Sequence, residues 1–151
     1  MLIAAFSDTH RDNTAMLCTI ENNKDIKAVI HCGDVADDID SLKMCFPRLP
    51  VYGVRGNNDF FTDYPKELIT EIGGLKFFIT HGHMYSVKMG EAIIKSACRD
   101  FGCDICVYGH THKECCHEED GMIILNPGSL RSCGTYALID TDTRQVTIHK
   151  F

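Results

Sequence analysis

The 151-residue chain is 44% hydrophobic and 24% charged, enough to bury one core without disulfides or structural metal. Its net charge of −6, from 15 basic and 21 acidic residues, and the lack of any basic run exclude a passive nucleic-acid binder, which presents a basic face. The apolar start over residues 1–6 gives way at once to Ser-Asp-Thr-His-Arg-Asp. That is too short for an export signal, and no stretch nears the ~20 apolar residues that span a bilayer. The expectation is a cytoplasmic protein, one domain over 1–151, with no membrane partner and no stable nucleic-acid partner.

In chain order, residues 2–6 form a short apolar run that ends at Ser7 and Asp8, the pattern of a buried strand. Met16, Leu17 and Ile20 stand at helical spacing within 13–23. A second strand is expected over 28–32, a short helix over 38–46 closed by Pro47, and a third strand over 51–54. This βαβαβ order predicts a parallel sheet with helices on its faces. Residues 68–72 and 75–80 flank Gly73-Gly74 as a hairpin. A helix is expected over 86–100, a buried strand over 105–108, and shorter strands over 113–118, 122–125, 135–140 and 145–150. Two sheets packed together, with helices outside, is the economical reading.

Nine cysteines without an export signal read as reduced thiols, with Cys18, Cys32 and Cys45 expected on apolar faces. Cys103-x-x-Cys106 followed by Cys115-Cys116-His117 has the residue types of a zinc site. Cys106 lies within the strand-like run Ile105–Tyr108, however, so using the pair as ligands would break a core strand. A surface disulfide, or no special role, is the preferred reading.

Polar residues cluster after the carboxyl ends of five of these strands: Asp8-Thr9-His10, Gly33-Asp34, Gly56-Asn57-Asn58-Asp59, His81-Gly82-His83 and Gly109-His110-Thr111-His112. Taken singly, each is an ordinary turn or a satisfied polar residue. In α/β sheets, however, ligands bind beyond the carboxyl ends of strands, and five such loops along one edge would share a cleft. Carboxylate, imidazole and amide oxygen suit divalent Mn, Fe, Ni, Co or Zn. Bound cations would also reverse the local sign of an acidic site. A glycine preceding each of Asp34, Asn57 and His110 lets the backbone approach closely.

This series resembles the calcineurin-like metallophosphoesterase superfamily over residues 2 to about 130. The small size, the Asn126-Pro127-Gly128-Ser129 segment and the lack of a cap resemble its small prokaryotic phosphodiesterase branch, which also includes the non-catalytic retromer scaffold subunit. The resemblance implies an α/β fold, a four-layer α/β/β/α sandwich of two mixed sheets with helices on the outer faces. It implies one divalent ion held by Asp8, His10, Asp34 and His112. A second would be held by Asp34, Asn57, His81 and His110, with Asp34 and a water or hydroxide bridging. Mn2+ or Ni2+ is favoured, with Fe, Co or Zn admissible. The implied activity is hydrolysis of a small phosphate ester, a diester before a monoester, by attack of the bridging hydroxide. The alternative is a non-catalytic metal-binding scaffold or interaction protein of the same fold. Self-association is a further expectation, because small relatives often associate.

The sequence departs from the wider family at one position. Many members carry His after the Asn ligand, as general acid or transition-state donor; here the residue is Asn58, which donates a hydrogen bond but no proton. His83 is the candidate substitute, with a supporting role as the alternative. Asp59 is expected to orient a ligand. Arg55 and Arg131 are candidates for holding substrate phosphate, against turn-capping or plain surface roles. The loop that carries a Pro-Arg pair in relatives is shortened here to Leu130-Arg131.

Overall fold

The computed structural model describes residues 1–151 as two five-stranded sheets and four α-helices. The strands of the first sheet are β1 (Leu2–Phe6), β2 (Ile26–His31), β3 (Val51–Gly53), β9 (Thr135–Asp140) and β10 (Gln145–Lys150). Those of the second are β4 (Glu67–Ile72), β5 (Leu75–Thr80), β6 (Ile105–Val107), β7 (Cys115–Glu119) and β8 (Met122–Asn126). The helices are α1 (Thr14–Asn22), α2 (Ala36–Cys45), α3 (Ala92–Asp100) and α4 (Leu130–Cys133). The sheet orders are β10-β9-β1-β2-β3 and β4-β5-β6-β8-β7.

Alternation along the strands builds the layers. Ile3 and Ala5 of β1 face Phe77, Ile79, Ile105 and Val107 of the second sheet in the central core. Ala4 and Phe6 point the other way, onto Met16 and Ile20 of α1 and Leu42 of α2. On the far side Phe78, Cys106 and Ile124 meet Ile94 and Cys98 of α3. The result is the expected α/β/β/α sandwich. Within it β1, β2 and β3 run parallel, as do β5, β6 and β8. Their carboxyl ends carry the loops of interest. No helix is long and apolar enough to cross a membrane.

Three local readings need correction. The helix expected over 86–100 begins only at Ala92. Ser86 (φ 51°) and Gly90 (φ 136°) lie in left-handed backbone that a helix cannot hold, and Val87 turns into the core instead. α4 was unforeseen, since four residues are too few to show a period. Cys18 and Cys45 are exposed rather than on apolar faces. Met16 and Ile20 take the buried side of α1, leaving Cys18 opposite, and Cys45 is the last residue of α2.

Candidate metal centre

All seven residues expected to bind metal converge on one rim. Asp8, Asp34 and His81 are buried, and their ligand atoms fall within 4.8 Å of one another; so do those of Asp8, His10 and His112. Asn57 and His110 close the second half: His81 Nε2 lies 3.0 Å from Asn57 Oδ1 and 3.2 Å from His110 Nδ1. The residue common to the two triads is Asp8. Asp34, the bridge implied by the resemblance, has its oxygens occupied by Asn58, whose backbone and side-chain amides donate to them at 3.1 and 2.7 Å.

The backbone is bent to make this possible. Asp8, His10, Asp34, His110 and His112 all have positive φ, between 49 and 68°, a region that L-residues other than Asn and Asp seldom enter. Such strain collects where the surrounding structure over-determines it. Asp59 supplies part of that support, as expected: its carboxylate accepts the amides of Gly56 (2.7 Å), Asp34 (3.2 Å) and Ala36 (2.8 Å). A Cβ on Gly56 would overlap the Asp34 carboxylate, and one on Gly109 would overlap Ser7 Oγ and crowd Asp8 Oδ2. The glycines therefore serve close approach.

Four supporting residues had escaped sequence reasoning. Asp38 on α2 is buried and accepts from Thr9 Oγ1, from the Arg11 amide at 3.1 Å and from Asn13 Nδ2 at 3.1 Å. It thereby fixes the loop that carries His10. Ser7 Oγ donates to Asp8 Oδ2 at 2.6 Å, and Ser129 Oγ to the Asp8 carbonyl at 3.0 Å. Asn126 Nδ2 donates to the Gly109 carbonyl at 3.0 Å, holding the His110 loop. An Asn-Pro-Gly-Ser segment and an acidic helix start were the only signals in the sequence.

The donor set fits divalent cations. His81 Nδ1 sits 2.7 Å from the Cys32 carbonyl. A carbonyl only accepts, so this nitrogen carries the proton. Its other ring nitrogen, Nε2, then faces Asn57 Oδ1 at 3.0 Å and Asp34 Oδ2 at 3.6 Å. Asp8 Oδ1 is buried with no hydrogen-bond partner; His112 Nε2 lies 3.1 Å away but off hydrogen-bonding geometry. Burial, and then the neighbouring His81, push His110 down to about 4, which keeps it in the neutral form that ligates metal. Two buried carboxylates and four imidazoles so close together, with Asp8 Oδ1 left without a hydrogen-bond partner, call for positive charge.

The other candidates are dispersed around this rim. His83 stands on a 3-10 turn over His83–Tyr85, its ring centroid 5.4 Å from His81 and 6.1 Å from His110. Burial, and then His81, lower its basicity, and its buried Nδ1 has no partner. Arg131 donates to the His10 carbonyl at 3.0 Å and lines a cleft of about 490 Å³ with Arg11, Asn58, Phe60 and Phe61. Arg55 lies outside that cleft, and its backbone amide donates to the Pro65 carbonyl at 2.9 Å.

Comparison with known proteins agrees with this geometry. Phosphodiesterase MJ0936 of Methanocaldococcus jannaschii is 33% identical over 170 residues, covering 96% of each chain. A conserved uncharacterized protein of Streptococcus pneumoniae TIGR4 superposes with a TM-score of 0.83 at 28% identity, covering 99% of this chain and 88% of its own. Vps29 of Entamoeba histolytica, solved in complex with zinc, shares the fold with a TM-score of 0.79 at 23% identity, over 98% of this chain and 90% of its own. Residues 1–144 match the calcineurin-like phosphoesterase superfamily domain, which takes in every residue of the rim and all of the sandwich but strand β10. With its fold, its strand-end residues and its relatives in agreement, the chain belongs to the calcineurin-like phosphoesterase superfamily.

Proposed function

We propose that this protein is a phosphoesterase dependent on two divalent metal ions, acting on small phosphodiesters in preference to monoesters. One observation carries the reading: two ligand triads converge on Asp8, whose buried Oδ1 has no hydrogen-bond partner. Asp8, His10 and His112 would hold one ion. Asp34, Asn57, His81 and His110 would hold the other, with Asp34 or Asp8 shared between them. Mn2+ or Ni2+ is the favoured pair. When bound, the ions would neutralise phosphate oxygens and make hydroxide available near neutral pH.

The chain's own residues have positioning work. Arg131 and Arg11 line the open cleft beside His10, where a guanidinium suits a phosphate oxygen. Asn58 lies at the same rim and can donate to the ester. No side chain there is placed as a strong acid, which favours substrates whose leaving group departs without full protonation. His83, neutral and close to His81 and His110, is the group able to shuttle a proton. A diester preference is supported by the 33%-identical relative named as a phosphodiesterase.

The test is hydrolysis of an activated aryl phosphodiester, beside the matching monoester, with Mn2+, Ni2+, Co2+ or Zn2+ added in turn. Metal-dependent turnover, faster on the diester and lost in Asp8→Asn and His110→Ala, is the expected result. Absence of metal-dependent turnover in the parent across all four ions and both substrates would overturn it, leaving the scaffold reading.

A further inference from the structure

Away from the rim, on the outer face of the second sheet, lies another group of metal-competent side chains. β7 is an edge strand, and its alternation puts Cys115, His117 and Glu119 on the face toward α3. Opposite them stand Glu91, just before α3, and then Lys95 and Arg99, one and two helical turns on. Lys95 and Arg99 pair with Glu119 at 2.7 and 2.6 Å. Glu91 meets the other two: its Oε2 is 3.1 Å from His117 Nε2, and its Oε1 is 3.5 Å from Cys115 Sγ. All three ligand atoms fall within 4.8 Å of one another.

We propose that Glu91, Cys115 and His117 form a second, separate site for one thiophilic divalent ion of the zinc class. Ligand bonds of about 2.0–2.3 Å at a tetrahedral centre place donor atoms about 3.3–3.6 Å apart, so small side-chain adjustments suffice. A thiolate, an imidazole and a carboxylate form a borderline-soft set that selects zinc-like ions over magnesium or calcium. Tyr108 Oη donates to Glu91 Oε1 at 2.6 Å and orients that carboxylate, as partners behind metal ligands do. Glu91 and Cys115 line a surface cavity with Lys88, Thr111 and Lys113, from which water would complete the shell. On binding, the Cys115 S–H bond breaks, the sulfur bonds the ion as thiolate, and the proton passes to solvent. The ion would tie the edge strand to α3.

Cobalt(II) tests this directly, because the residues of the rim include no sulfur ligand. Adding Co2+ to the whole chain is expected to give thiolate-to-cobalt charge-transfer absorption and release about one proton per site. The band should vanish in Cys115→Ser, weaken strongly in His117→Ala, and survive Cys133→Ser, which alters the exposed thiol near His112. The parent should also retain about one more equivalent of Zn2+ than Cys115→Ser, with phosphoesterase activity unchanged in that variant. His117 is on the exposed side of the cluster, so His117→Ala reads the site even if Cys115→Ser folds poorly. No band in the parent, or a band that persists in His117→Ala at parental intensity, would overturn the proposal.

Discussion

Asn58 donates its backbone amide to one carboxylate oxygen of Asp34 and its side-chain amide to the other, at 3.1 and 2.7 Å. The position where the resemblance to the wider family leads one to expect an acid is therefore occupied by a group that holds a ligand and has no proton to deliver. Asn58→His is expected to raise turnover on a diester with a poor leaving group, by up to the 10²–10⁴-fold typical of general acid catalysis, while leaving an activated aryl diester little changed. Comparing kcat on the two substrates at equal metal content checks this; equal gains on both would assign the effect to the Asp34 contact.

Asp38 never reaches the rim, yet the His10 loop depends on it through Thr9, Arg11 and Asn13. Asp38→Ala leaves the buried Thr9 hydroxyl and the Arg11 amide without their acceptor. The expected loss is about 2–3 kcal/mol of stability, with metal affinity weakened about 10–100-fold. Urea unfolding and metal titration measure the two separately; unchanged affinity would show that the loop holds its shape without Asp38.

His31 gives the fold a pH dependence. Its ring is fully buried, with Nδ1 accepting the Gly33 amide at 3.2 Å and Nε2 3.3 Å from Thr9 Oγ1. Burial pushes it from 6.5 down to about 4, against a smaller opposing pull from Asp38. The folded chain thus refuses a proton that the unfolded chain takes up below pH 6.5. Stability from this group is complete above pH ~6.5 and falls as pH drops toward about 4, by about 3 kcal/mol over the window. Metal-free His31→Gln should show a shallower decline than the metal-free parent, by up to one proton per molecule. Parallel slopes in urea unfolding across that range would reject the assignment.

Gly109 has no room for a side chain. A Cβ there overlaps Ser7 Oγ and presses on Asp8 Oδ2, so Gly109→Ala must displace the carboxylate common to both triads. The expectation is loss of bound metal and of activity, with about 1–3 kcal/mol of destabilisation from overpacking. Metal analysis of the folded variant decides; a full complement of metal would mean that Ser7 alone gives way.

Much of this was legible in the sequence because strand ends and ligand types coincide locally. Asp8, Asp34, His81 and His110 each follow an apolar run that could only be a buried strand, and the sheets bring those ends together. The supports were illegible for the opposite reason. Asp38 sits in Asp37-Asp38-Ile39-Asp40, which reads as a solvated helix face until the loop over 9–13 covers one of its carboxylates. Cys115 and His117 had been weighed together with Cys103 and Cys106. The structure instead places Cys103 and Cys106 in the core beside Cys98. It gives Cys115 a partner, Glu91, 24 residues earlier in the chain, a pairing that no local spacing announces. The start of α3 was misplaced because Val87 fits a helical period that Ser86 and Gly90 forbid in the backbone.

The rim lies astride the seam between the two sheets. Asp8, His10, Asp34 and Asn57 come from one sheet, and His81, His110 and His112 from the other. His81 already stitches across the seam through its bond to the Cys32 carbonyl. Cations held there would add a cross-link to the apolar core and to the few polar bonds that already join the halves, among them His110 N–H to Asp8 Oδ2 at 3.0 Å. Slippage of one sheet over the other would pull the ligands apart, and occupied ligands would resist that slippage. Catalytic readiness and the mechanical stiffness of the sandwich then become one property, visible as slowed amide hydrogen exchange in β1, β2, β5 and β6 when metal is added.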